Sequence, residues 1–185
     1  MHTNKVENVG LDKSLYVFEL DDVLFPKQDY LLQVYYLFGS FYEFTEGTVK
    51  ANELAHLMKK VYLHHGEDQV FDAIKEIYHI EEKYRENLGR LQANAQLPLK
   101  LELFDNTKTL LQELFVQQKK VAILTKGNPV EQLNKLKFID WKELSAYKDQ
   151  IKIYFLDELL HQNIDVNAYF ASDFGISVED MLVIN

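Results

Sequence analysis

Two rhythms of apolar residues alternate along this chain. Short apolar runs stand at Leu15–Phe18, within a first strand expected over Leu15–Leu20, at Val121–Leu124 and at Met181–Ile184, and Ile151–Phe155 alternates. Runs of this length, rich in β-branched and aromatic residues and bounded by polar ones, read as strands. Between them the spacing becomes helical. From Asp29 to about Ala95 apolar positions recur every three or four residues, as in Leu31, Leu32, Val34, Tyr35, Leu37 and Phe38, then Val49, Leu54, Leu57, Met58 and Val61, then Val70, Phe71, Ile74 and Ile77. Further helices are predicted from Asn106 or Thr107, as N-cap, to Gln118 with Leu110, Leu111 and Leu114 inward, from Pro129 to Phe138 with Val130, Leu133 and Leu136 inward, and over Val166–Phe174 up to Gly175. Strands alternating with helices argue for a parallel sheet covered on both faces. The fold class expected is therefore α/β, a Rossmann-like three-layer core. Residues 1–25 and 99–185 form the core, and residues 26–98 form an inserted helical unit.

Candidate chemistry collects at two strand ends. The first strand runs into Glu19, Asp21 and Asp22. A side-chain period of two puts Glu19 and Asp21 on one side, beyond the carboxyl ends of the strands, where open α/β sheets bind ligands. Two acids there suit a metal and phosphate or carbonyl chemistry. They also suit a chain simply leaving the core for water. The second strand ends in Thr125-Lys126-Gly127-Asn128, followed by Pro129 in a first helical turn. A hydroxyl beside free N–H groups at a helix start can seat a phosphate or an oxyanion, although a threonine there can equally serve the turn. In a parallel sheet both ends share one edge, which strengthens the joint reading.

Composition narrows the classes. The chain of 185 residues is 47% hydrophobic and 26% charged, with 11 Tyr and 12 Phe, as expected of a folded globular protein. A net charge of -9 disfavours nucleic acid and anionic lipid as partners. It leaves room for a small phosphorylated molecule at a local site. The absence of cysteine removes disulfides, thiolate catalysis and thiolate metal sites. Met1–Ser14 is polar and resembles no signal peptide, and no run approaches the ~18 apolar residues of a membrane span. The expected location is the cytoplasm.

The two strand ends, in this order and spacing, resemble the haloacid dehalogenase (HAD) superfamily, in the subgroup with a helical cap after the first strand. Its first motif, an apolar strand ending Asp-x-Asp-x-Thr or Val, is matched by Val17-Phe18-Glu19-Leu20-Asp21-Asp22-Val23. Its second motif is matched by Ala122-Ile123-Leu124-Thr125 with Lys126-Gly127-Asn128, and Phe174–Ile184 resembles the segment leading into the fourth. The resemblance implies a Mg²⁺-dependent hydrolase of phosphatase type acting through an acyl-phosphate. Glu19 stands at the nucleophile and metal-ligand position. By the same resemblance Asp21 would be the general acid/base, with its backbone carbonyl on the metal, and Thr125, Lys126 and Gly127 would hold the phosphoryl group. Three departures accompany the match. The nucleophile position is Glu rather than Asp. The third-motif region, Leu159–Val166, has no lysine, leaving Lys126, Lys135 or Lys137 as substitutes. The aspartates of the fourth motif would begin where the sequence stops, at Asn185. These departures lead to the expectation of impaired or absent turnover, with a non-catalytic phosphate-binding or interaction scaffold as the alternative.

Three rivals are weaker. A receiver-type regulator also carries acids after its first strand, but not a large helical insertion there. His64, His65, Glu67 and Asp68 cluster at a predicted helix end as a metal site or an exposed turn. Tyr30, Tyr35, Tyr36, Phe38, Phe41, Tyr42 and Phe44 form a stripe that lines a pocket or packs a core.

Overall fold

The computed structural model describes residue 6 and residues 9–185. The chain forms two compact units, one made of the segment ending at Lys27 together with Lys100–Asn185, the other of Gln28–Leu99.

The first unit is built on a four-stranded parallel sheet. Its strands are β1 (Leu15–Phe18), β3 (Lys120–Thr125), β5 (Lys152–Phe155) and β6 (Met181–Ile184), in the order β5-β3-β1-β6. Strand β1 is fully buried, as befits a central strand paired on both edges. Alternation sends Leu15 and Val17 to one face. There they join Ala122, Leu159 and Phe170 in a cluster with α7 (Leu156–His161) and α8 (Val166–Phe174). Tyr16 and Phe18, equally buried, point to the other face. The starts of the strands are tied by Ser14, whose N–H and hydroxyl both bond the Asp180 carboxylate. A two-stranded parallel pair, β2 (Leu101–Glu102) with β4 (Ile139–Asp140), completes the strands among the described residues.

Helix α5 (Asp105–Val116) differs in detail from the sequence expectation. Phe104, not Asn106 or Thr107, holds the N-cap position, with no side-chain cap. Thr107 lies inside the first turn, fully buried, and its hydroxyl donates to the Val23 carbonyl at 2.7 Å. That bond, with Phe104 N–H to the Leu24 carbonyl at 2.9 Å, anchors the turn that leaves β1. A buried carbonyl needed a donor, and the threonine supplies it.

Helix α6 (Pro129–Phe138) departs more. It is capped by Asn128, whose side chain accepts from Val130 N–H, and Pro129 opens it as expected. Its buried residues are Gln132, Asn134, Lys135 and Phe138, while Val130 and Leu133 are exposed. Polar partners meet part of this face: Gln132 donates to the Lys126 carbonyl and Lys135 pairs with Asp21.

The second unit is helical throughout: α1 (Lys27–Glu46), α2 (Ala51–His65), α3 (Val70–Tyr78) and α4 (Tyr84–Asn94). The aromatic stripe of α1 serves its core. Tyr30, Tyr35, Phe38 and Tyr42 are buried, Tyr42 meets Tyr84 edge-on with centroids 5.1 Å apart, and the Tyr30 hydroxyl donates to the Gln92 carbonyl. The start of α2 comes close to α1 at Gly39, where a Cβ would stand 2.6 Å from the Ala51 carbonyl oxygen. The Glu43 carboxylate accepts the Ala51 N–H and the Lys50 ammonium, both at 2.8 Å, and so ties α1 to the start of α2. The bond from Lys50, then that from Ala51, holds the Glu43 carboxyl below its ordinary range. Among the described residues no helix is long and apolar enough to cross a membrane.

Candidate functional site

Strand register brings the two strand ends together. Phe18 is level with Ile123 on one side and Ile184 on the other, and the Glu19 N–H extends the pairing by donating to the Ile184 carbonyl at 2.9 Å. Carrying the same register forward sets Glu19 and Leu20 beside Leu124 and Thr125. The Thr125 hydroxyl, fully buried, donates to Glu19 Oε1 at 2.6 Å. The same oxygen accepts the Leu20 N–H at 2.9 Å. The additional methylene of glutamate thus lets the carboxylate curl back over its own strand end.

Asp21 follows at the start of a tight turn, in which Asp22 adopts a positive φ of 60° and Asp22 N–H bonds the Phe25 carbonyl at 3.0 Å. Asp22 itself is structural, its Oδ1 accepting the Lys27 N–H at 2.9 Å. Asp21 Oδ2 accepts from Lys135 Nζ at 2.7 Å. The ammonium also meets Glu131 Oε1 at 2.8 Å, and the lysine side chain is fully buried. Glu131 and Lys135 are four residues apart on α6, the spacing that places two side chains on one helical face. Asp21 Oδ1 is buried and has no hydrogen-bond partner among the described residues.

The turn after β3 is also satisfied from within the chain. Gly127 takes φ 96°, a conformation that side chains rarely adopt. Its N–H donates to Asp157 Oδ2 at 2.7 Å, a carboxylate from the first turn of α7 after β5. The Lys126 carbonyl accepts from Gln132 Nε2 at 2.9 Å, and the Lys126 side chain is exposed.

Glu19, Asp21, Thr125, Lys126 and Gly127 therefore all lie at one end of the sheet. Of the three candidate lysines, Lys135 is the one ion-paired to Asp21. Glu131 and Asp157 were not singled out by sequence; the Glu131–Lys135 spacing on a helix just after Thr125 was the available signal. The Mg²⁺ implied by the resemblance is poorly matched by these side chains. Glu19 Oε1 is shared by two donors, and Asp21 already faces an ammonium. Among the described residues no group of three or more His, Asp or Glu gathers that could hold a metal ion. His64, His65, Glu67 and Asp68 form no such group, and both histidines and Asp68 are exposed.

No protein-family model matches this sequence, and no curated protein does at significant similarity. Solved structures do match. One is a haloacid dehalogenase-like family hydrolase from Xanthomonas campestris, 19% identical, covering 94% of this chain and 74% of that one, with a TM-score of 0.50. Another is a HAD family hydrolase from Deinococcus radiodurans R1 with bound phosphate and sodium, 16% identical, covering 94% and 72%, with a TM-score of 0.52. With the parallel sheet and the helical unit that follows β1, these likenesses show that the chain has the fold of the HAD superfamily hydrolases.

Proposed function

We propose that the strand-end site of the α/β unit is a phosphate-ester site of HAD type in which turnover is impaired or absent. One observation carries this reading: the carboxylate at the nucleophile position is engaged within the chain, Glu19 Oε1 accepting from both Thr125 and Leu20. Attack on phosphorus requires a carboxylate oxygen in line and about 3–3.5 Å away. Glutamate moves that oxygen by about 1 Å relative to aspartate, a misplacement that can cost ~10²-fold. The oxygen would also have to leave two hydrogen bonds. Asp21 would return a proton to the leaving group, and its Oδ2 is occupied by Lys135. Thr125, Lys126 and Gly127 would meet the phosphoryl oxygens.

A second reading, a non-catalytic phosphate-binding or interaction scaffold, draws on the same satisfaction of donors. The Thr125 hydroxyl and the Gly127 N–H both already donate to carboxylates of the chain. HAD hydrolases generally use Mg²⁺, for which the side chains of this site are a poor set of ligands. A cytoplasmic location goes with either reading.

The test is hydrolysis of p-nitrophenyl phosphate with and without Mg²⁺. Negligible turnover is expected, and Glu19→Asp alone is expected to leave it negligible, because Lys135 still occupies Asp21. Robust turnover that disappears in Glu19→Gln would overturn the impaired reading. Calorimetry with inorganic phosphate and a panel of phosphorylated metabolites separates the two readings from a purely structural role. Binding without turnover supports a phosphate site, and no binding excludes one.

A further inference from the structure

A cation that pairs with two acids of this site is part of the chain. Lys135 is fully buried on α6, with its ammonium 2.7 Å from Asp21 and 2.8 Å from Glu131. A buried ammonium is costly unless paired and hydrogen-bonded, and here two carboxylates surround it. Both acids are themselves largely covered, with side chains 17% and 15% exposed. Gln132 and Asn134 are buried on α6 as well, with Phe138 at its end. This helix turns its hydrophobic Val130 and Leu133 to solvent in order to present the lysine.

We infer that Lys135 is the resident cation of the strand-end site, and that the site consequently does without a divalent metal. The chemistry of the donors points this way. A hard divalent ion asks for several oxygen ligands. Asp21 offers one buried oxygen without a hydrogen-bond partner among the described residues, on a carboxylate whose other oxygen holds an ammonium. A second cation on that carboxylate, or on the backbone carbonyl of the same residue that the resemblance makes a ligand, would stand within several ångströms of the first in a poorly solvated place, where like charges repel. Lys135 is the resident cation whether or not the site binds a phosphate.

The experiment compares the whole chain with Lys135→Met and Lys135→Arg, by thermal unfolding and by calorimetric titration with MgCl₂ and MnCl₂ at matched ionic strength. The unaltered protein is expected to give no saturable heat and no divalent-specific rise in Tm. Lys135→Met leaves two buried acids uncompensated. Its Tm is expected to fall by roughly 10 °C and to recover in part, saturably, with Mg²⁺ or Mn²⁺. Lys135→Arg keeps the charge and is expected to remain insensitive to divalent ions. Saturable Mg²⁺ binding by the unaltered protein would overturn the inference, and that measurement decides even if Lys135→Met does not fold. A folded Lys135→Met protein with unchanged Tm, or one that gains no response to either ion, would overturn it too.

Discussion

Thr125 donates its hydroxyl to Glu19 across the β1–β3 pair, at 2.6 Å and with the threonine fully buried. The two residues are 106 positions apart in sequence. The bond joins the strand end that carries the acids to the strand end that begins the turn into α6. A short hydrogen bond to a carboxylate is of the stronger kind, so it stabilises the fold while occupying the groups on which chemistry would depend.

Thr125→Val keeps the shape and removes the donor. It is expected to destabilise the protein by about 1–2 kcal/mol, because the half-buried Glu19 oxygen then has the Leu20 N–H alone. Thr125→Ser should recover most of that loss. Urea unfolding of both variants checks this, and a Thr125→Val midpoint equal to that of the parent would refute it.

Asp157→Ala releases the Gly127 N–H at the turn after β3, where the Asp157 carboxylate now accepts it at 2.7 Å. If the strand-end site takes phosphate, its affinity for inorganic phosphate should rise several-fold, since a fixed anion no longer competes for that donor. Stability should change little, because the bond is solvent-exposed. Calorimetric titration reads the affinity; weaker phosphate binding in Asp157→Ala would count against this arrangement.

Gly39→Ala tests the packing inside the helical unit. The added methyl would stand 2.6 Å from the backbone oxygen of Ala51, which has no rotamer with which to yield. A cost of about 1–3 kcal/mol is expected from overpacking, despite the better helix propensity of alanine. A Tm equal to or above that of the parent would show that α1 and α2 separate more easily than this geometry implies.

Asp180 should make stability depend on pH at the acid end. Hydrogen bonding from the Ser14 side chain, first among the causes, holds the Asp180 carboxyl below its ordinary 3.8. A carboxyl depressed on folding stabilises the native state above its unfolded value and ceases to do so as pH falls through the lower folded value. The Tm difference between the parent and Asp180→Asn should therefore be full at neutral pH and shrink below about pH 3.8. A difference that stays constant through that range would remove Asp180 as its source.

Local pattern made much of the fold legible. The continuous apolar runs became β1, β3 and β6, and Val166–Phe174 is a helix with the predicted bounds, ended by Gly175 at φ 63°. These elements follow from side-chain burial and from backbone conformations that a few residue types favour. The apolar period misled on α6. Val130 and Leu133 fit an inward stripe, yet Gln132, Asn134 and Lys135 are buried beside Phe138 while those two are exposed. A buried polar face becomes favourable only when its partners arrive from elsewhere, and Asp21 comes from 114 residues away.

By itself, then, the sequence determined the alternation of strands and helices, the helical unit after β1, and the acids and hydroxyl at two strand ends, because each depends on neighbours within a few residues. Only the tertiary structure decided that Glu19 curls onto Thr125, that Asp157 occupies the Gly127 N–H, and that Lys135, among three candidate lysines, pairs with Asp21 and Glu131. Those are matters of which charges and hydrogen-bonding groups meet inside a low-dielectric site, and strand register and helix placement settle them over separations that local pattern does not reach.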